Sequence, residues 1–315
     1  MKPIKALGIA TMLNEKVLDV FYFQISESDQ SKNSITRLDE DACSKLAHLK
    51  NLIIAENKEV IEVNLVEDVK IEDVPTAFLK LHLISLKQFK PNELNLDNIF
   101  NVLETLAWTS KGPMTVKDAQ KELLVSKANG SDFKINSIDK FPPLADYVLP
   151  EKVRIADTAR IRLGAYLGEG TTVMHAGFVN FNAGTEGPNM IEGRVSSKVF
   201  LSKGSDLGGG ASTMGTLSGG NDQVVSIGEN SLVGANSGVG ISLGANCTVE
   251  AGLYITAGTK ITLLDDENNE LKTIKALELS GVSNMLYLRD SVSGKVIGKS
   301  NNTNFSLNEI LHVNN

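Results

Sequence analysis

The stretch that decides the fold runs from Arg154 to Ala183 and is written here in sixes: RIADTA, RIRLGA, YLGEGT, TVMHAG, FVNFNA. The second position of every unit is aliphatic: Ile155, Ile161, Leu167, Val173 and Val179. The period returns at 194–211 as RVSSKV, FLSKGS, DLGGGA. It returns again at 226–261 as SIGENS, LVGANS, GVGISL, GANCTV, EAGLYI, TAGTKI, with Ile227, Val233, Val239, Ala245, Ala251 and Ala257 in second place. Fourteen six-residue units in three runs predict a parallel β-helix. Each unit supplies a short strand and a turn, and only stacked coils bury the aliphatic position.

The frame fails at GTEGPNMIEG (184–193) and at TMGTLSGGNDQVV (213–225). An excursion from a rigid solenoid is where binding and catalysis concentrate. Three units separate the two breaks, about one turn of a three-sided coil, so the spacing predicts that they lie near one another on one side.

Outward from the repeat the chain changes style. Before residue 150 the pattern is mixed α/β. DVFYFQIS (19–26) and VIEVNLVE (60–67) read as strands. DEDACSKLAHLKNLIIAE (39–56) has apolar residues at Ala42, Leu46, Leu49 and Ile53, a helical spacing. Helices are also predicted over 73–87, with strand for part of that segment as the alternative, over 96–108, and after a loop within 110–128. KFPPLADYVLPEKV (140–153) carries three prolines and reads as a linker. After residue 262, LLDDENNELK reads as a polar hairpin, and 277–296 as a β cap that keeps the solenoid end from pairing elsewhere. The expected organisation is an N-terminal α/β domain over residues 1–110, a helical linker over 111–152, a left-handed β-helix over 153–262 and a small C-terminal β cap over 263–315.

Composition narrows the partners. The net charge of −7 and pI of about 5.3 disfavour a nucleic-acid binder. Cys43 and Cys247 form no CxxC pair, so neither a disulfide framework nor a zinc site is expected. The N-terminus, MKPIKALGIATMLNEK, lacks the apolar core of a secretory signal. No stretch approaches the ~18 apolar residues of a membrane span. A cytoplasmic protein with no membrane partner is the expectation.

The six-residue frame resembles the hexapeptide-repeat acyltransferase superfamily, whose members are left-handed triangular β-helices that trimerise. The wording is more specific. The strings at 163–196, 204–220 and 234–260, with LELSGVSN (277–284) and RDSVSG (289–294), are similar to the tetrahydrodipicolinate N-succinyltransferase family in its longer-chain, actinobacterial and pseudomonad type. The likeness covers about residues 150–295. It implies an enzyme that moves succinyl from succinyl-CoA to the amino group of ring-opened tetrahydrodipicolinate, in the diaminopimelate route to lysine, as a homotrimer.

Acyl transfer from a thioester to an amine needs a group that takes the ammonium proton or the acyl group, donors for the tetrahedral oxyanion, and a hold on the CoA arm. Glu192 lies in the first break between Ile191 and Gly193. That setting predicts a poorly hydrated carboxylate suited to proton transfer. The resemblance makes Glu192 the catalytic residue, as general base or as nucleophile. It makes Gly215, in the second break, the oxyanion donor through its N–H.

The resemblance also places Arg194, Gly209, Ser212, Ala235, Glu250, Ala251 and Gly258 at the CoA site, with Lys275, Leu288, Arg289, Asp290 and Ser291 as its C-terminal contacts. Small residues let the pantetheine arm lie between coils, and Lys275 and Arg289 would meet the phosphates. Members of the family often carry a second arginine where Leu288 stands, which weakens one expected phosphate contact. His175 is the rival base, because many hexapeptide acyltransferases use histidine. Some relatives carry acids on the trimer axis where Ala159 and Ala176 stand here, and three alanines do not invite a cation. No tightly bound metal is therefore expected.

Three other readings compete. One is an acetyl-CoA-dependent enzyme of the same superfamily, against which the long matching strings argue. A zinc carbonic anhydrase on the same helix needs about three histidines per site, and the coil offers His175 alone. A catalytically degenerate solenoid is the third. The run GSDLGGGASTMGTLSGG (204–220) has no GxxxxGK[ST] order and is not a phosphate loop.

Overall fold

The computed structural model describes residues 1–217 and 223–301. Residues 218–222 of the second break and 302–315 of the expected cap lie outside the described residues. The chain forms two compact units. One comprises Met1–Leu83 and Glu93–Tyr147, the other Ile84–Asn92 and Val148–Asn315.

The first unit begins with β1 (Ile4–Leu13) and β2 (Lys16–Glu27), followed by β3 (Ser34–Arg37), α1 (Glu40–Ser44) and β4 (Lys58–Leu65). The strands form an antiparallel sheet in the order β2-β1-β4-β3. Then come α2 (Val74–Ser85) and α3 (Ile99–Val102). A small sheet of β5 (Leu106–Thr109), β6 (Gly112–Thr115) and β7 (Ile135–Asp139) follows, with α4 (Val116–Asn129) between its last two strands. Ala119 of α4 packs on Ala107 and Phe133.

Two expected helices are shortened. The run 39–56 yields only α1 and a turn at Ala47–Leu49. Asp39 caps the helix start by accepting from the Ala42 N–H at 2.8 Å. A helical stripe persists only where a surface buries it, and here Leu52 and Ile53 stay 60% and 98% exposed. The run 96–108 gives α3, then extends at Leu103 so that 106–109 becomes the central strand between β6 and β7.

Within α2, His82 is buried beside the rings of Tyr22 and Tyr147. Its Nδ1 lies 2.7 Å from the Phe78 carbonyl. Burial lowers its pKa from 6.5 to about 4, against the weaker opposing pull of that carbonyl. The folded chain thus holds His82 neutral, while the unfolded chain protonates it below about pH 6.5. The resulting stability is complete above that pH and is lost as pH falls toward 4, by roughly 3 kcal/mol. Thermal melts across this window should show the loss, and His82→Leu should flatten it. An unchanged slope in the variant counts against His82 as the cause.

In the second unit the chain winds into a three-sided parallel β-helix. The first face stacks Arg154–Ile155, Thr172–Val173, Met190–Ile191, Asp206–Leu207, Leu232–Val233 and Thr248–Val249. The second face stacks Phe178–Val179, Arg194–Val195, Ser212–Thr213, Gly238–Val239 and Tyr254–Ile255. The third stacks Ala165–Leu167, Ala183–Thr185, Phe200–Leu201 and Ser226–Ile227. The aliphatic member of each pair points inward; Leu167, Val173, Val195, Leu207 and Val233 are each at most 1% exposed. Each such burial contributes about 1.5–3 kcal/mol.

The segment 184–193 does not leave the coil, contrary to the sequence reading. Thr185 takes the inward place between Leu167 and Leu201 and is fully buried. It is tolerated there because its hydroxyl pairs with that of Thr171 at 2.9 Å. Ile191 follows six residues later, and the frame shifts only at the next corner, where Val195 comes four positions after Ile191.

A second four-residue corner runs from Val239 to Leu243, which bridges Ile227. It moves the frame of the last run by two. Leu243, Val249, Ile255 and Ile261 point inward, while Ala245, Ala251 and Ala257 lie in the turns. The genuine excursion lies between Thr213 and Ile227. Where it is described, Thr216 bridges Val224.

The coil ends in Lys260–Leu264, which pairs antiparallel with Glu270–Lys275, and in Met285–Arg289 with Val296–Ser300. The strand Met285–Arg289 continues the first face, because Tyr287 pairs with Val249.

Candidate active site along one edge

Where the first face turns into the second, successive corners stack into an edge. Down that edge lie His175, Glu192, Gly209, Ala235, and then Glu250 with Ala251. Backbone bonds fix the order: Met174 N–H donates to Ile191 O, Gly210 N–H to Glu192 O, Asn236 N–H to Gly209 O and Gly252 N–H to Ala235 O, all at 2.8–3.2 Å. Leu288, Arg289, Asp290 and Ser291 close the edge, since Glu250 N–H donates to Tyr287 O. Four strand steps separate the Glu192 coil from Tyr287, about 19 Å at the usual strand spacing.

Glu192 is half-buried, with its N–H bonded to Leu207 O at 2.8 Å. The residue after it has to be glycine. A Cβ on Gly193 would stand 2.3 Å from the Ala211 carbonyl oxygen, so only glycine lets this corner settle on the coil below. At Gly209 a Cβ would meet nothing within 4 Å, which leaves the edge open to solvent there.

Arg194 and Ser212 are neighbours on the adjoining second face. The Arg194 guanidinium donates to Ser212 Oγ from Nε at 3.1 Å and Nη2 at 2.7 Å. No carboxylate pairs with it among the described residues. Arg194 follows Glu192 by two residues, and the free side of its guanidinium suits a carboxylate or phosphate.

Gly215 does not join them. It follows Thr213 on the edge between the second and third faces. There a Cβ would stand 2.7 Å from the Ser197 carbonyl oxygen. Its own carbonyl accepts from Val225 N–H at 3.3 Å, and no acceptor for its N–H is seen among the described residues. The expectation that the two breaks lie on one side therefore fails within a single chain: the second face stands between Glu192 and Gly215. Gly258 and Lys275 fall on Gly215's edge, where Ala276 N–H donates to Thr259 O and Leu277 N–H to Ala257 O.

The C-terminal group also serves the turn it sits in. Asp290 accepts from Ser293 Oγ and from the N–H groups of Val292 and Ser293. The serine hydroxyl first, then those amides, hold its carboxyl below the usual range. Arg289 N–H donates to Glu250 Oε2 at 2.7 Å, and its guanidinium reaches Gly294 O at 3.0 Å. Lys275 is exposed and its backbone N–H meets Glu278.

His175 is exposed one coil before Glu192. Its corner is braced by Arg160, which donates to the carbonyls of Ala176 and Gly177 at 3.0 Å each. Ala159 and Ala176 are both exposed. Among the described residues no cluster of three or more His, Cys, Asp or Glu side chains is placed to hold a metal. No helix among them is long and apolar enough to cross a membrane. Sequence reasoning passed over Tyr254, which stands on the second face, and Lys260, which stands at Gly215's edge across the hairpin from Lys275. Their outward positions in the frame were the available signal.

A family model described as the hexapeptide repeat of succinyl-transferase matches residues 224–257, and one described as tetrahydrodipicolinate N-succinyltransferase middle matches 103–142. A 2,3,4,5-tetrahydropyridine-2,6-dicarboxylate N-succinyltransferase of Pseudomonas putida is 52% identical over 85% of this chain and 78% of its own. The enzyme of that name from Vibrio cholerae is 50% identical over 81% of this chain and 75% of its own. A solved structure from Campylobacter jejuni, named a 2,3,4,5-tetrahydropyridine-2-carboxylate N-succinyltransferase, superposes with a TM-score of 0.85 at 30% identity, over 96% of this chain and 93% of that one.

Proposed function

The chain belongs to the tetrahydrodipicolinate N-succinyltransferase family, enzymes of the diaminopimelate route to lysine, and we propose that it carries succinyl from succinyl-CoA to the amino group of ring-opened tetrahydrodipicolinate, with Glu192 at the reacting centre. The observation that carries this reading is the edge itself. Gly209, Ala235 and Ala251 form a run of small residues between a carboxylate at one end and Arg289 at the other. Such a run gives an extended pantetheine arm a bed, with the thioester delivered beside Glu192.

Glu192 then acts in one of two ways. As a base it takes a proton from the substrate ammonium, and the freed amine attacks the thioester carbonyl. As a nucleophile it first accepts the succinyl group as a mixed anhydride, which the amine opens. In both routes the thiolate of CoA leaves with a proton, and the tetrahedral oxyanion needs donors. Gly215 N–H is one such donor. Arg194, supported by Ser212, is suited to the free carboxylate of the succinyl group.

Because Glu192 and Gly215 occupy different edges, one chain does not bring them together. Joining them requires the first edge of one copy to face the second edge of another. A homotrimer closes such an arrangement with three equal clefts. Lys275 and Gly258 would then approach the donor from the neighbouring copy.

Incubation with succinyl-CoA and tetrahydrodipicolinate, with free thiol followed over time, tests the reading. Thiol release that needs both substrates, and that exceeds release from acetyl-CoA, is the expected result. Release from acetyl-CoA at an equal or higher rate would point to another acyl donor, and no release from either to a solenoid without catalysis.

A further inference from the structure

On the second face, three of the four steps between stacked strands pair at both residues. The step from Arg194–Val195 to Ser212–Thr213 pairs only at Arg194 and Ser212. One backbone bond is missing there. One coil earlier, Asn180 N–H donates to Val195 O at 3.1 Å, and one coil later, Met214 N–H donates to Val239 O at 2.9 Å. The equivalent donor, Ser196 N–H, turns instead to Thr213 Oγ1 at 3.1 Å.

Two hydroxyls close the gap. Thr213 holds the inward place of its strand, next to Val239, and is fully buried. Its hydroxyl accepts from Ser196 N–H and donates to Arg194 O at 3.1 Å. The Ser196 hydroxyl donates to Thr213 O at 2.6 Å. Three side-chain bonds thus stand in for one bond of the ladder. A valine at 213 would serve the aliphatic frame as well. The threonine hydroxyl is tolerated inside because it is fully partnered.

The clasp sits where the second face gives way to the excursion. Arg194 on its near side is fixed without it, because Arg194 N–H donates to Ala211 O at 2.8 Å. Gly215 on its far side depends on it. Gly215 follows Thr213 by two residues and lies against the clasp's other half. A Cβ there would stand 2.7 Å from Ser197 O and 3.9 Å from the Ser196 Cβ. How Thr213 is held against Ser196 therefore sets where the Gly215 N–H points.

We propose that Thr213 and Ser196 are positioning residues for acyl transfer. Their clasp keeps these two coils out of the ordinary ladder and so aims the Gly215 N–H at the developing oxyanion. The proposal rests on the reading that Gly215 is the oxyanion donor.

Thr213→Val tests it, because it removes the hydroxyl and keeps the shape. Ser196 N–H is then free to bond the carbonyl of residue 213, as its counterparts do in the neighbouring coils. The melting temperature should be unchanged or raised. The kcat should fall by about tenfold or more, a share of the 10²–10³ that displacing an oxyanion donor costs. The KM of each substrate should hold, because the donor acts on the tetrahedral state and not on the bound substrates. Thr213→Ser keeps the hydroxyl and should keep most of the turnover. On a Gly215→Ala background, Thr213→Val should cost nothing further, since both changes act through one donor.

A valine variant with full kcat would overturn the proposal. So would one whose loss adds in full to that of Gly215→Ala, or one whose turnover falls only in step with its melting temperature. Gly215→Ala with full turnover would instead sink the oxyanion reading, and the proposal with it.

Discussion

Glu192→Gln should leave the protein folded and slow succinyl transfer by about 10²–10⁴-fold, the usual contribution of a positioned acid–base group. The amide keeps the shape of the side chain and its place on the corner above Leu207 and Gly210, but it neither takes a proton nor accepts an acyl group. The KM for succinyl-CoA should change little, because the arm lies further down the edge. His175→Ala is the matched control. His175 shares the edge, one coil away, and is exposed, so its loss should leave most of the turnover intact. If the histidine variant dies while the glutamine variant works, the assignment is wrong. Exposure to succinyl-CoA alone, followed by mass spectrometry of the peptide carrying Glu192, separates the two routes. A stable succinyl adduct indicates the nucleophile, and its absence at full turnover indicates the base.

Gly215→Ala should cost about 10²–10³ in kcat, the loss seen when an oxyanion donor is displaced. The added Cβ would meet the Ser197 carbonyl at 2.7 Å, and the backbone has to shift to relieve it. The fold should survive, since Thr213 stays paired with Val239 beneath it. The two variants together make a sharper test. If a cleft takes Glu192 from one copy and Gly215 from another, co-refolding Glu192→Gln chains with Gly215→Ala chains restores activity, because some clefts then receive both intact residues. A mixture as inactive as its parents would show that the two residues do not share a cleft.

The solenoid was legible because its signal is redundant. Ile155 through Val179 repeat at six, and the coils stack in that frame. Reading went wrong where the corners changed length. At 184–193 a threonine stood in an aliphatic place, and the sequence does not display the hydroxyl partner that makes Thr185 acceptable inside. At 245–257 an alanine recurs every six residues, before a glycine in two of the three units, and imitates the frame, although the inward residues have moved two places. In the first unit only β2 and β4 are legible by their β-branched and aromatic content; β1, at the middle of the same sheet, and β3 escape that reading, and the stripe over 39–56 predicts a full helix that the fold cuts short. Only tertiary burial decides whether such a stripe persists. The residues of the edge were reachable through resemblance. That Gly215 stands on another edge was not, because it depends on which face follows which.

The separations between successive inward residues are four, six or, across the excursion, fourteen, and all are even. That constrains how a gene for such a coil can lengthen or shrink. Adding two residues at the Ile191–Val195 corner would restore the six-residue spacing and leave both flanking strands facing as before, whereas removing one residue within a strand turns its apolar side to water. Descendants of this chain should therefore accept insertions and deletions by pairs at corners, or as whole loops such as the one that carries Gly215.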